Sequence, residues 1–328
     1  QRQLELFFTR FIFLIFLLYF VRTQRQIEFT TWLLIGLIVF AAADAFLAFT
    51  AGGGMKRAAS DLAGLTKNSN RLAYTCIFGT ALIWFYNAYG LNKQWKALLL
   101  PLLFFLPIMT LIAGSRSGLL QMIALAVLIG KDQQHWSVRK RLGTVFLVAC
   151  VALLSIAVVP ERYLDRVTAF DPDVHTTSSA QDSSHNRIHA ILVGLRAVAS
   201  SPLLGIGIGN NWILKSFFEA GLKAAPHNSY LWALLSGGIG ALVLYLAMFL
   251  ITYRMLRRLE QWGPRELLWV SKGLKVNLIL FLIFSLFADF WLNFFLYAIV
   301  GLTIAMTVFA QQQNQRMIWA AAPFASQR

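Results

Sequence analysis

Charged side chains are scarce in this chain. Asp, Glu, Lys and Arg together make up 13% of its 328 residues, whereas hydrophobic residues make up 58%. A soluble domain carries roughly a quarter charged residues, so the composition excludes a soluble protein of this length. The apolar residues instead form runs long enough to cross a bilayer, which takes roughly 20 residues per helix. We therefore expect an all-α, polytopic membrane protein.

Cysteine and metal-binding patterns are also scarce. The two cysteines, Cys76 and Cys150, both lie in apolar runs, which argues against a disulfide framework. The sequence has no Walker motif, no carboxylate pair with metal-ligand spacing and no Cys/His cluster, so we expect neither a metal nor a cofactor. The net charge of +15 comes mostly from basic residues between apolar runs, where they contact membrane lipids. We expect no nucleic-acid partner.

Nine apolar runs are interpreted as spans. Because the bilayer core offers no water to the backbone, each run is expected to be helical. The runs are about 4–21, 31–49, 72–90, 97–113, 115–130, 143–159, 229–253, 274–292 and 294–310. The resulting units are an N-terminal bundle (1–159), a loop subdomain (160–228), C-terminal spans (229–310) and a cytoplasmic tail (311–328).

Basic residues predict the orientation of the spans. The connections at 131–142 and 254–275 are basic and are expected to be cytoplasmic. The polar stretch at 160–228 contains six basic and six acidic residues, which fits the outer side. Counting spans from these loops places 114–118 and the first residues outside, which predicts an odd number of further spans upstream.

The loop at 50–71 departs from this rule because it is basic, yet the count places it outside. Its basic residues are Lys56, Arg57, Lys67 and Arg71. Either the count is wrong by one in the first half of the chain, or the charge has a function. A basic outer loop attracts phosphates of a lipid-linked substrate, so Lys56, Arg57 and Arg71 are candidate substrate-binding residues.

A small-residue break, Gly114-Ser-Arg-Ser-Gly118, separates two of the runs. Its glycines and serines permit a tight turn and leave Arg116 at the membrane boundary. A guanidinium is a permanent cation whose planar donors match phosphate oxygens. The alternative is an interfacial arginine that only extends to water.

The sequence Pro226-His-Asn-Ser-Tyr230 enters the long run after the outer loop. Asn228 or Ser229 can cap that helix, so His227 lies at its N-terminus, where the helix dipole disfavours a charged imidazole. A neutral histidine at the membrane surface can accept a proton as a general base. A capping-region histidine without a catalytic task is the alternative.

The outer segment His185–Ser201 has helical spacing. Its predicted apolar stripe is Ile188, Ile191, Leu192, Leu195, Val198 and Ala199. Arg187 flanks the stripe on one side, and His189 and Arg196 flank it on the other. We interpret it as a helix on the membrane or across the bundle, with Arg187 near lipid phosphates; solvated flank charges are the alternative. The glycines that follow, at 205, 207 and 209, lack the context of a nucleotide loop and are interpreted as structural.

Together these features resemble the bacterial O-antigen ligase family, within a superfamily that includes O-antigen polymerases. The resemblance covers roughly residues 50–310 and rests on the order of short motifs. These are Gly64-Leu-Thr-Lys-Asn-Ser-Asn70, the break at 114–118, Arg187 opening a helix, Ser201-Pro-Leu-Leu-Gly-Ile-Gly-Ile-Gly209 and Pro226-His-Asn-Ser-Tyr-Leu231.

The resemblance implies a metal-independent, GT-C-type glycosyltransferase of lipopolysaccharide biosynthesis. It would lie in the bacterial inner membrane with a periplasmic active site. Its donor would be O-antigen on undecaprenyl pyrophosphate, and its acceptor a sugar hydroxyl of lipid A–core oligosaccharide. Family members have about twelve spans, so we expect upstream spans to be missing from this sequence.

Glycosyl transfer from a pyrophosphate needs the leaving charge stabilised and the attacking hydroxyl deprotonated. Arg116 and Arg187 are expected to do the first and His227 the second, in one attack that inverts the anomeric carbon. Further substrate-binding candidates are Arg196, Asn228 and Tyr230. An O-antigen polymerase or a protein O-oligosaccharyltransferase would use the same chemistry, whereas a lipid-linked glycan transporter would need no base.

Overall fold

The computed structural model describes residues 2–53, 69–133, 136–138, 179–207, 227–288 and 293–325. These residues form ten helices and no strand. The helices are α1 (Arg2–Phe20), α2 (Gln24–Ala48), α3 (Ser69–Tyr89), α4 (Lys93–Leu99), α5 (Leu102–Ile112), α6 (Arg116–Asp132), α7 (Ser179–Ser200), α8 (Ser229–Trp262), α9 (Leu268–Ser285) and α10 (Phe294–Ala325). A π-helical turn (Phe49–Gly53) follows α2, and a 3-10 turn (Arg265–Leu267) precedes α9.

Eight of the nine predicted spans coincide with these helices, and the ninth, 143–159, lies outside the described residues. Within the described part, five segments are both long and apolar enough to cross a membrane. They are Gln24–Ala51, Lys93–Ile112, Ser229–Trp262, Arg265–Ser285 and Phe294–Gln315. The prediction of an all-α, polytopic membrane protein is therefore confirmed.

Helix α3 lies at the centre of the bundle. It packs against α2, α5, α6 and α9, and every residue from Leu72 to Ile83 is buried. Because protein rather than lipid surrounds it, α3 needs less hydropathy than the other spans and accommodates polar residues. The Thr80 hydroxyl donates to the Cys76 carbonyl (2.8 Å), and Asn277 of α9 donates to the Phe78 carbonyl (3.1 Å).

Ring contacts establish the helix directions. Trp32, early in α2, meets Tyr86, late in α3, with ring centroids 4.8 Å apart. Tyr74, early in α3, stacks on Phe284, late in α9, at 5.1 Å. Helix α3 is therefore antiparallel to both neighbours. The starts of α3, α6, α8 and α10 lie at one end of the bundle, which we call the upper end, and the ends of α3, α6 and α8 lie at the other, the lower end.

The helices also show that the two predicted groups of spans form one bundle. Helix α1 packs against α10, and both α3 and α6 pack against α9. The segment 54–68 lies outside the described residues, but its flanks, Gly53 and Ser69, both lie at the upper end. The helix directions therefore agree with the span count in the first half of the chain.

The connection predicted at 254–275 is wrong in extent. Helix α8 continues to Trp262 and α9 begins at Leu268, rather than at 274. Two of the lysines there lie within α9 because acidic side chains of neighbouring helices neutralise them. Lys275 donates to Glu260 of α8 (2.6 Å), and Lys272 pairs with Asp132 of α6. Residues 311–325, predicted as part of a tail, continue α10.

We expect the Asp132–Lys272 pair to be energetically coupled. Asp132 also accepts a hydrogen bond from the Tyr89 hydroxyl, and the side chains of Asp132 and Lys272 are each only 16% exposed. Asp132→Ala leaves an uncompensated ammonium and should cost about 3 kcal/mol of unfolding free energy. Adding Lys272→Met should recover much of this loss. Unfolding of the purified protein in mixed micelles with increasing SDS measures both.

The control is Glu266→Ala, because Glu266 is exposed at the same end and its removal should change stability by less than about 0.5 kcal/mol. Additive losses in the Asp132→Ala, Lys272→Met double variant would contradict the coupling.

Candidate active site

The upper end gathers several helix N-termini. Asn228 caps α8 and Ser115 caps α6 through their side chains, and the Asn293 side chain accepts from the Phe295 N–H at the start of α10 (2.8 Å). The start of α3 lies beside that of α6. Backbone N–H groups at these helix starts carry a partial positive charge and can bind an anion locally; the ends of α2, α5 and α9 lie at the same end of the bundle.

The motif at 114–118 forms a tight turn between α5 and α6. Gly114 has a φ of +59°, a conformation that favours glycine. The Ser115 hydroxyl accepts the Gly118 N–H (3.1 Å) and so caps α6. A Cβ on Gly118 would lie 2.7 Å from the Ala73 Cβ, so this glycine allows α6 to approach α3 closely.

Asn70 of α3 holds this turn in place. Its Oδ1 accepts hydrogen bonds from the hydroxyls of Ser115 (2.7 Å) and Ser117 (3.3 Å), which lie on either side of Arg116. Arg71 follows Asn70 directly in the chain. The two bonds therefore bring the backbones that carry Arg71 and Arg116 together at the upper end, and both arginines are half-buried.

A further cation, Arg10 of α1, lies near this group. Its guanidinium packs over the Phe294 ring, 5.8 Å from the centroid, and its electrostatic neighbours are Tyr297 and Arg71. The upper end thus contains arginines from three helices, α1, α3 and α6.

His227 is positioned by three side chains that follow it. Asn228 donates to the Leu286 carbonyl (3.4 Å), Ser229 to the Ala288 carbonyl (2.8 Å) and Tyr230 to the Leu282 carbonyl (2.8 Å). These carbonyls lie at or near the end of α9, where intrahelical donors run out. The start of α8 is therefore joined to the end of α9, and His227 lies half-buried at that junction.

Asn228 and Tyr230, predicted as substrate-binding residues, thus use their side chains within the protein. Asn228 Oδ1 also accepts the Leu231 N–H (2.9 Å). Both residues hold the backbone next to His227, which is a positioning role.

Helix α8 is broken at Gly237 and Gly238, where the backbone leaves the helical conformation. The turn at 202–206 fills the break: the Ile206 N–H donates to the Leu235 carbonyl (2.7 Å), and the Ile239 N–H donates to the Pro202 carbonyl (2.9 Å).

Glycine is required on both sides of this contact. Gly205 and Gly238 each have a φ of +66°. A Cβ on Gly205 would lie 2.5 Å from the Leu235 oxygen, and one on Gly238 would lie 2.2 Å from the Leu203 oxygen. The structural interpretation of Gly205 agrees with this geometry.

Helix α7 packs against the first part of α8, and its packed face overlaps the predicted stripe only in part. Val198 is buried and Ile191 packs with residues of α8, as predicted, and Ala190 is buried there as well. Leu192, Leu195 and Ala199 are exposed instead. The reason is Gly194, which faces the Leu231 side chain and draws the neighbouring face of α7 inward.

The other predicted site residues lie on α7 or outside the described residues. Arg187 lies within α7, near the level of its first packed residues, but its side chain is outside the described part. Arg196 is exposed on α7. Lys56 and Arg57 lie outside the described residues. Among the described residues, no three His, Cys, Asp or Glu side chains are grouped so that they could hold a metal ion.

Sequence reasoning missed Asn70 and Arg10 as parts of this site. Asn70 was noted only within a motif, because its bonds to Ser115 and Ser117 join positions about 45 residues apart. Arg10 could have been identified from the sequence, because it is a lone basic residue inside an apolar run. An ionisable residue within a membrane span is expected to have a functional role.

Comparison with known families gives one match. Residues 100–246, a little under half of the chain, match the family model described as O-antigen ligase. The matched segment contains Arg116, Arg187 and His227, and it confirms the family resemblance inferred from the motifs. No curated protein matches the chain significantly.

We expect Gly205→Ala to destabilise the protein strongly. The change places a Cβ against the α8 backbone and forces a non-glycine residue into the left-handed region, which costs about 1–2 kcal/mol before any clash. The matched control is Gly130→Ala, because Gly130 is helical and exposed with open space around it; it should be neutral or slightly stabilising. Thermal unfolding of the two purified variants measures the difference, and equal melting temperatures would refute the close contact.

Proposed function

We propose, from the membership of residues 100–246 in the O-antigen ligase family, that the chain is an O-antigen ligase. It transfers a polysaccharide from undecaprenyl pyrophosphate to a sugar hydroxyl of lipid A–core oligosaccharide. The observation that supports the proposal is that Arg71, Arg116 and His227 lie at or near the N-termini of α3, α6 and α8, at one end of a membrane bundle.

The leaving group is the first requirement of this reaction. Undecaprenyl pyrophosphate departs with a negative charge, and fixed cations in a poorly solvated site stabilise such a charge as it develops. Arg116 stands at the start of α6, where the helix dipole adds to its own charge. Arg187 is assigned the same role, and Lys56, Arg57 and Arg196 are assigned to attraction of substrate phosphates.

The nucleophile is the second requirement. In the proposed mechanism, His227 Nδ1 or Nε2 accepts the proton of the acceptor hydroxyl. The hydroxyl oxygen forms a bond to the anomeric carbon, the bond from that carbon to the pyrophosphate oxygen breaks, and the electron pair leaves with the pyrophosphate. A single attack from the opposite face inverts the anomeric carbon. This chemistry needs no metal and corresponds to the GT-C type.

The upper end is proposed to face the periplasm of a bacterial inner membrane. Support comes from the lower end, where basic residues lie in the last turns of α8 and just before α9. These are Arg254, Arg257, Arg258 and Arg265. Basic residues favour the cytoplasmic side.

A transfer assay separates this function from its rivals. Purified protein is mixed with undecaprenyl-pyrophosphate-linked glycan and lipid A–core in the presence of EDTA. Glycan on lipid A–core supports a metal-independent ligase, whereas longer glycan on the lipid carrier indicates an O-antigen polymerase. A peptide acceptor tests the protein O-oligosaccharyltransferase, and transport across a vesicle membrane without transfer would indicate a transporter.

The roles of His227 and Arg116 predict the kinetics of two variants. His227→Ala removes the base and should lower kcat to roughly one hundredth or less. Arg116→Ala removes a leaving-group contact and should lower kcat by a similar factor. Initial rates over a range of donor concentrations measure both.

Matched controls are His189→Ala and Arg265→Ala, because both side chains are exposed, the first on α7 and the second at the lower end. Both controls should retain the rate of the unmodified protein. A normal kcat in His227→Ala would overturn the assignment of the base.

Asn70 is predicted to act through Arg116. Asn70→Ala frees the hydroxyls of Ser115 and Ser117, and the resulting shift of Arg116 should lower kcat roughly tenfold or more. Asn70→Asp retains an oxygen acceptor and should preserve most of the rate. Asn87→Ala is the control, since Asn87 lies at the other end of α3 and bonds only the Ile83 carbonyl of its own helix (3.2 Å). A purely structural role of Asn70 would lower thermal stability and leave kcat per folded molecule unchanged.

A further inference from the structure

Arg10 is a cation in an apolar helix. Its neighbours in α1 are Phe7, Phe8, Thr9, Phe11, Ile12 and Phe13, and the nearest acid in the helix is the exposed Glu5. A guanidinium placed among such residues in a membrane bundle is costly, and such residues usually face a polar cavity or a partner. The Nε atom of Arg10 is buried and has no hydrogen-bond partner among the described residues.

The surroundings of Arg10 form one side of a binding site for an anion. The Phe294 ring supports the guanidinium from below, which holds its planar fork in a defined orientation. Its electrostatic neighbours include the cation Arg71 and the phenol Tyr297. Arg71 carries the same charge as Arg10 and acts on it electrostatically, so an anion bound between them would be attracted to both.

The depth of Arg10 indicates the kind of anion. Its ring contact belongs to the first turn of α10, at the upper end of the bundle, and α1 continues from there between apolar residues. A pyrophosphate attached to a lipid tail would place its charge at this level and its chain along the bundle.

We propose that Arg10, together with Arg71, binds the pyrophosphate group of the lipid-linked substrate. This inference rests on the proposed function for the identity of the lipid. Arg10 is a substrate-binding residue on α1, outside the segment that matches the family, and it adds a third helix to the arginines of α3 and α6.

The test compares Arg10→Gln with Arg22→Gln in the full chain. Arg22 follows the same helix and makes the same kind of contact, over the Tyr19 ring at 5.0 Å, but at the lower end. Retention of radiolabelled undecaprenyl pyrophosphate by the immobilised protein measures affinity without any transfer step. Arg10→Gln should weaken binding about tenfold, as loss of a charge-assisted hydrogen bond does, and Arg22→Gln should leave it unchanged.

Competitors identify what the site recognises. Undecaprenyl pyrophosphate should displace the label, and so should inorganic pyrophosphate at higher concentration if the charge alone suffices. Displacement by undecaprenol, which has no phosphate, with the same potency would overturn the proposal. Arg10→Lys retains the charge without the fork and should bind between the unmodified protein and Arg10→Gln.

The outcomes also separate this inference from the proposed function. Glycan transfer with an unchanged donor KM and unchanged affinity in Arg10→Gln would overturn the role of Arg10 and leave the ligase function standing. If Arg10→Gln lost affinity for the lipid pyrophosphate and the unmodified protein transferred no glycan, the role of Arg10 would stand and the ligase function would be overturned. A lower melting temperature of ligand-free Arg10→Gln with normal affinity would show that Arg10 only supports packing on Phe294.

Discussion

Backbone hydrogen bonding inside a water-free layer is the constraint on which the upper end of this protein depends. Helices are interrupted at Gly114, at Gly237–Gly238 and after Ser285, and lipid cannot satisfy the N–H and C=O groups that each interruption exposes. Other segments satisfy them: Ser115 with Asn70 at the first, the turn at 202–206 at the second and the residues after His227 at the third. The proposed site lies in the part of the bundle where these helix interruptions occur.

The electrostatics of the two ends follow from the same arrangement. At the lower end, Lys272 and Lys275 form ion pairs with acidic residues of neighbouring helices, so their charges are neutralised within the protein. The upper end contains the starts of α3, α6, α8 and α10 together with the arginines of α1, α3 and α6. Arg10 is oriented there by a ring rather than by a carboxylate.

Much of the fold could be predicted from the sequence because hydropathy is a local property. Apolar runs predicted the helices, and the described residues that begin the first basic connection, 131–133, lie at the same end as the connection between α8 and α9. Arg116 and His227 could be singled out because small residues and a helix cap surround them in the chain. The break in α8 could not be predicted, since Gly237 and Gly238 require a turn about 35 residues earlier to make them stable. Asn70, Arg10 and the rotated face of α7 depend likewise on contacts between distant segments.

The broken helix explains how residues far apart in the chain can act together. The turn at 202–206 leads directly out of α7, which carries Arg187, and it bonds to both sides of the break in α8, whose start carries His227. The proposed base and one proposed phosphate ligand therefore belong to a single unit of α7 and α8. Arg71 and Arg116 belong to a second unit, in which Asn70 joins α3 to α6. Helix α9 bonds to both, through Leu282 to Tyr230 and through Asn277 to Phe78. Helix α9 therefore links the unit that carries the proposed base to the unit that carries the proposed leaving-group cations.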